Sequence, residues 1–146
     1  MTFIYNEAKR ALAEAELDFG SGGATLKVAL VMTNTTADTE DDVNLMNGFT
    51  TLDEMDGSGY SRQTIASQSV AEDSGNNRAY FDASDTTFSS LGAGTRQVQG
   101  AILYKHVGAD SSNTPIAFFD SGGFPFTANG GSVTLQWNAS GIILFS

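Results

Sequence analysis

The sequence predicts an all-β fold, either a β-sandwich or a jelly-roll-like barrel, with one short N-terminal helix. Three features lead to this prediction: 16 glycines among 146 residues, apolar runs of only about five residues, and frequent Ser, Thr, Asn and Asp between those runs. A chain of this length buries roughly two-thirds of its unfolded surface. We therefore expect residues 1–146 to form a single domain around one core.

The only helical pattern lies near the N-terminus, at about residues 6–16. Apolar residues recur there at steps of three and four, at Ala8, Ala11, Leu12 and Ala15. Asn6 precedes them and is a suitable N-cap, because its side-chain oxygen can accept a hydrogen bond from a free backbone N–H of the first turn. Glycines at positions 20, 22 and 23 then interrupt the pattern, so the helix ends before the first long strand.

Apolar residues that alternate with polar ones predict the strands. The expected strands are residues 24–32, 60–65, 68–72, 78–82, 86–90, 98–106, 115–119, 132–137 and 142–145, with a hairpin turn at 73–77. The side chains expected in the core are Leu26, Val28, Leu30, Ile102, Tyr104, Leu135 and Trp137. Residues 33–56 are polar and acidic and show no period, so we interpret them as a long surface loop.

The chain is strongly acidic, with 17 acidic and 7 basic residues and a net charge of −10. Such a charge repels phosphate backbones and anionic lipid headgroups, so we expect no direct binding to nucleic acid or membrane. No Lys or Arg lies between Lys27 and Arg62, a gap that contains Asp38, Glu40, Asp41, Asp42, Asp53, Glu54 and Asp56. We therefore predict a strongly negative region that suits a basic partner surface.

Cysteine is absent from the chain, which excludes disulfides, zinc–thiolate sites and a thiol nucleophile. The apolar runs are far shorter than the roughly 20 residues that span a bilayer, and the N-terminus lacks the basic-then-apolar pattern of a signal peptide. We expect a soluble protein made in a cytoplasm, which is stabilised by packing, hydrogen bonds or oligomerisation.

No residue pattern in the sequence indicates catalysis. His106 is the only histidine, and a general-base histidine needs an orienting partner that the sequence does not show. The Gly-x-Ser-x-Gly motif of hydrolases and a phosphate-binding loop are both absent. The acidic residues cluster in polar segments away from the lone Trp137, unlike the paired acids of a glycosidase cleft. We expect a protein that is not an enzyme and holds no cofactor.

Residues 53–59 resemble a calcium-binding loop, because carboxylates alternate with other residues before a glycine. The helix-loop-helix register fails, since aligning Gly57 with the loop glycine puts Leu52 at the first ligand position and Gln63 at the last. An acidic turn without metal is the main interpretation. The alternative is a looser calcium site formed by Asp38, Asp41, Asp42 or Asp56.

Four phenylalanines cluster late in the chain, at Phe118, Phe119, Phe124 and Phe126. Consecutive strand residues face opposite sides, so only one of Phe118 and Phe119 can enter a given sheet interface. The other needs a cover, either the N-terminal helix or a neighbouring subunit. Because residues 107–146 contain no Lys or Arg, we predict an interface with another subunit at Phe119, Phe124 and Phe126.

The sequence resembles a family of small virion proteins of tailed bacteriophages. The resemblance runs over nearly the full length and rests on residues 5–12, 25–31, 57–60, 100–105 and 133–144, which read YNEAKRAL, TLKVALV, GSGY, GAILYK and VTLQWNASGIIL. It implies a capsid cement or decoration protein that binds the major capsid protein on the outside of the mature head and bridges neighbouring capsomers. It also implies self-association, for which a trimer at the threefold positions of the capsid is a common expectation. No catalytic residues come with the family.

A second function class stays open beside the cement protein. A tail- or neck-associated structural protein, or a module that binds carbohydrate on the host surface, could use the same sandwich. Copy number separates these hypotheses, because a cement protein is present in hundreds of copies per particle and a tail component in a few.

Overall fold

The computed structural model describes residues 2–146 and contains one α-helix and ten β-strands within them. Helix α1 spans Asn6–Ala13. The strands are β1 Phe3–Ile4, β2 Leu26–Met32, β3 Gln63–Thr64, β4 Ser69–Asp73, β5 Arg78–Asp82, β6 Thr86–Phe88, β7 Val98–Lys105, β8 Thr114–Phe119, β9 Val133–Leu135 and β10 Ile143–Phe145. Short 3-10 turns occur at Met46–Gly48 and Ser74–Asn76. No helix in the described part of the chain is long and apolar enough to cross a membrane.

The strands form three antiparallel sheets. The largest has the order β1-β8-β7-β2-β3, a second has the order β10-β5-β4, and β6 pairs with β9 in a third. The hairpin between β4 and β5 turns at Asn77, which adopts the left-handed conformation (φ 51°) that tight turns require. The all-β class with one short helix is therefore confirmed.

The five-stranded sheet is buried on both faces. On its first face, alternate residues of β2 from Leu26 to Met32 pack against helix α1 and against the two smaller sheets, through Phe81, Phe88 and Ile143. On the second face lie Ala29, Val31, Ile102, Tyr104 and Phe118. Burial on both faces explains why β2 and β7 read as almost continuous apolar runs.

Residues 33–56, hereafter the acidic segment, form an irregular loop as the sequence predicts, and several of their side chains cover the second face of the sheet, which the sequence did not predict. Ala37, Met46 and Phe49 of this segment are buried against the sheet. The Tyr5 hydroxyl donates a hydrogen bond of 2.6 Å to the Ala37 carbonyl oxygen, and the Met46 N–H donates one of 2.9 Å to the Asn113 carbonyl oxygen. The sequence gives no period here because the segment packs through isolated apolar residues on irregular backbone.

Several predicted boundaries change. The helix ends at Ala13 instead of residue 16, because Ala15 takes a left-handed conformation (φ 57°). The prediction of Asn6 as N-cap is wrong: Tyr5 occupies that position without a side-chain cap, and Asn6 is the first helical residue. The predicted strand 60–65 shortens to β3, because the Tyr60 N–H turns back to the Gly57 carbonyl oxygen (3.2 Å).

Candidate functional site

A concave surface lies between residues 119–124, at the end of β8, and residues 134–144, which lead from β9 into β10. Its volume is about 540 Å³, within the roughly 300–1,000 Å³ typical of small-molecule sites. We call this surface the aromatic groove. It is open because β9 pairs only with β6, and β10 is an edge strand of its sheet.

Aromatic side chains form the apolar part of the groove. The rings of Phe119 and Trp137 meet edge to face, with centroids 5.3 Å apart, and Phe124 lies beside them in the lining. Leu26, Val28, Leu30, Ile102 and Tyr104 are buried as predicted, whereas Leu135 and Trp137 are only partly buried and pack against the edge of the core. Nε1 of Trp137 is itself buried and has no hydrogen-bond partner among residues 2–146. What the Trp137 side chain exposes is therefore carbon.

Uncharged polar groups complete the groove. Ser121, Gln136 and Asn138 contribute hydroxyl and amide groups, and none of the described lining residues is charged. The Asn138 Oδ1 accepts a hydrogen bond from the Ser140 N–H (2.9 Å), which fixes the turn between β9 and β10. Outside the groove, the Asp85 carboxylate accepts a hydrogen bond of 2.9 Å from the Trp137 N–H and anchors the backbone there.

The three phenylalanines predicted at an interface separate into two groups. Phe119 and Phe124 line the aromatic groove, whereas Phe126 is not in the lining and exchanges backbone hydrogen bonds of 2.8 and 3.0 Å with Val98. Trp137 of the same chain covers part of Phe119. Their contact with another subunit stays a prediction.

The four aspartates predicted as a loose calcium site do not come together. No three His, Asp or Glu side chains within residues 2–146 are grouped so that they could hold a metal ion. Asp42 accepts a hydrogen bond from the Asn6 side chain, and Asp56 accepts two from Thr95, at 2.8 and 2.7 Å. The Thr95 hydrogen bonds lower the pKa of Asp56 below its usual value.

The carboxylates of the acidic segment are held in place by the fold. Glu40 accepts hydrogen bonds from the Thr36 hydroxyl (2.7 Å) and the Thr50 N–H (2.8 Å), and the bonds to Thr50 and Thr36 lower its pKa. The nearly buried Asp53 carboxylate forms an ion pair with Arg96. Asp41 is exposed to solvent. The segment therefore presents a fixed negative surface at neutral pH.

Comparison with protein-family models, curated proteins and solved structures finds no match. The resemblance to virion proteins of tailed phages stays a prediction.

His106 is not among the lining residues of the aromatic groove. Its ring meets Tyr104 edge to face with centroids 6.2 Å apart, and its backbone N–H donates a hydrogen bond of 2.8 Å to the Thr25 carbonyl oxygen. Nδ1 is buried and has no hydrogen-bond partner within residues 2–146, so no orienting carboxylate holds it there.

Sequence reasoning missed a cluster centred on Arg62. The Arg62 guanidinium donates hydrogen bonds of 2.7 and 2.6 Å to Glu54 and of 2.5 and 2.9 Å to Asp110, and it lies 5.2 Å from the centre of the Tyr104 ring. The Tyr60 hydroxyl adds a bond of 2.7 Å to Glu54. The cluster ties the acidic segment to the connection between β7 and β8. The only sequence signal was that Arg62 is the first cation after Lys27.

Because Trp137 is only partly buried, we expect Trp137→Ala to lower the free energy of unfolding by about 1–2 kcal/mol, less than the roughly 3–5 kcal/mol typical of a buried aromatic side chain. Urea denaturation followed by far-UV circular dichroism measures the difference. Phe81→Ala is the matched control, because Phe81 is fully buried and should show the larger loss. Equal losses in the two variants would place Trp137 in the core after all.

Proposed function

We propose that this protein is a structural component of a tailed-phage particle, a capsid cement or decoration protein that binds the major capsid protein on the outside of the head. The observation that carries the proposal beyond the sequence resemblance is the acidic segment, which is a fixed part of the folded body. A cement protein needs a rigid surface of this kind, because each weak contact is repeated by symmetry around the shell.

The chemistry of that surface favours a basic partner. Asp38 and Asp41 lie on a segment that the core contacts of Met46 and Phe49 hold in place, so little conformational entropy is lost when a partner binds. A negative charge fixed in this way attracts a positive patch and orients the encounter. The fixed acidic face thus accounts for binding without any catalytic group.

We expect phage heads that lack this protein to release their genome at a lower temperature than complete heads, and purified protein added back should restore the difference. Raising the salt concentration from about 0.1 to 0.5 M shortens the Debye length from about 10 Å to about 4 Å and should weaken rebinding about tenfold. Genome release on heating and co-sedimentation with heads measure the two effects.

The double variant Asp38→Asn, Asp41→Asn should rebind more weakly than the wild type. Its matched control is Glu14→Gln, Glu72→Gln, which removes two exposed carboxylates outside the acidic segment and should rebind normally. Equal thermal stability of heads with and without the protein, accompanied by impaired adsorption to the host, would refute the cement function. That result would favour the tail-associated or host-binding module.

A further inference from the structure

The aromatic groove differs in chemistry from the rest of the molecule. The chain carries 24 charged side chains, 17 acidic and 7 basic, yet none lies among the groove residues that the structure describes. Asp120, between the lining residues Phe119 and Ser121, is not part of the lining either. An anionic ligand would find no cation there and would be repelled by the net negative charge of the chain, and a cationic ligand would find no carboxylate in the described lining to pair with. The groove therefore suits a neutral ligand.

The apolar part of the groove offers flat carbon surface instead of a deep apolar pocket. Phe119, Phe124 and Trp137 are each partly exposed, and Trp137 exposes only carbon because its Nε1 is buried. Rings of this kind accept a flat ligand that carries C–H groups on its face. The pyranose ring of a sugar has such a face.

The polar part supplies the complementary contacts. The Gln136 side chain is exposed in the groove. Ser121 belongs to one side of the groove, residues 119–124, and Asn138 belongs to the other, residues 134–144. Amide and hydroxyl groups both donate and accept hydrogen bonds, as the hydroxyls of a sugar do. Well-placed uncharged groups around an aromatic surface fix the orientation of a ligand in a site of this size.

From this arrangement we propose that the aromatic groove binds a neutral oligosaccharide. The proposal goes beyond head stabilisation and does not depend on it, because the cement contact is assigned to the acidic segment. A second copy of the chain, which the sequence predicts at Phe119 and Phe124, is the competing occupant; net charges of −10 on both copies oppose it, and sedimentation tests it.

The single tryptophan of the chain lies in the groove, so its fluorescence reports binding there directly. We expect the emission of the purified protein to shift to shorter wavelength, and heat to be exchanged in calorimetry, with at least one of maltohexaose, laminarihexaose, cellotetraose and chitotetraose. Titration to about 10 mM covers a weak site with a millimolar Kd. Salt should leave this binding unchanged, because no charge is involved.

Gln136→Ala should weaken sugar binding about tenfold without changing the melting temperature, since the exposed Gln136 side chain is not part of the core. Gln97→Ala, an exposed glutamine outside the groove, is the matched control and should bind as the wild type does. Absence of any response to the four sugars, or equal binding by Gln136→Ala, would overturn the proposal. A dimer observed by sedimentation would also overturn the proposal if the sugars did not dissociate it and Leu144→Ser, a substitution in the groove, did dissociate it. Loss of sugar binding with normal rebinding to heads would leave the cement function standing.

Discussion

Met46→Ala should lower the free energy of unfolding by about 2–5 kcal/mol, the range observed for truncation of a buried methionine or leucine. Met46 is fully buried and belongs to the cluster that covers the second face of the five-stranded sheet. Its removal leaves a cavity between the acidic segment and the sheet. Urea denaturation at neutral pH measures the loss, and proteolysis should cut the acidic segment first in the variant.

Asn47→Ala is the control for this prediction, because Asn47 is the next residue and is exposed. Surface substitutions of this kind usually change stability by no more than about 0.5 kcal/mol. If Met46→Ala behaved like Asn47→Ala, buried side chains would not hold the acidic segment against the sheet. The fixed negative surface proposed to bind the capsid would then lose its support.

The elements that the sequence predicted well are those in which one rule decides the structure. Strand β5 was predicted as residues 78–82, because the turn residues 73–77 precede it and make it the return strand of a hairpin. Strand β2 was predicted two residues too long. Strands β2 and β5 each pair with a neighbouring strand over most of their length. Local alternation and turn chemistry therefore suffice for strands in the middle of a sheet.

Long-range contacts explain what could not be predicted. Ala37, Met46 and Phe49 reach the core from irregular backbone, where no period exists to reveal their burial. Trp137 alternates with polar neighbours as a core residue would, but β9 has a partner on only one side, so the ring lines an open groove. The topology of the whole fold decides which face of a short strand is covered, and the local sequence pattern does not reveal that topology.

The two candidate surfaces should respond differently to salt. The acidic segment acts through charge, whereas the aromatic groove has no charged lining residue among those described. Salt dependence therefore assigns a measured interaction to one surface or the other. An interaction with heads that ignores salt would point to the groove, and sugar binding that weakens with salt would point away from it.

Arg62→Met should lower the free energy of unfolding by about 2–4 kcal/mol. Removal of one partner from a buried ion pair costs roughly 3–5 kcal/mol, and partial exposure reduces that cost because solvent screens the charges that remain. Here the Arg62 side chain is 19 % exposed, and its partners Glu54 and Asp110 are 27 % and 32 % exposed. Met keeps an aliphatic stem at this position, but it removes the guanidinium that lies over the Tyr104 ring and leaves two carboxylates without that cation. Arg62→Lys should lower the free energy of unfolding by less than Arg62→Met does. It should still be less stable than the wild type, because an ammonium group cannot bind both carboxylates as the planar guanidinium does.

The effect of Arg62→Met should depend on pH, since the Arg62 guanidinium holds the pKa of Asp110 below its usual value of 3.8. A carboxyl whose folded pKa is lowered contributes stability above its unfolded pKa and loses it as the pH falls through the folded one. The difference in the free energy of unfolding between wild type and Arg62→Met should therefore be largest at pH 7 and should decrease below about pH 4. Urea denaturation at pH 7 and at about pH 3 measures both values. A difference in the free energy of unfolding that stayed constant over this range would mean that the ion pairs of Arg62 with the two carboxylates do not stabilise the fold.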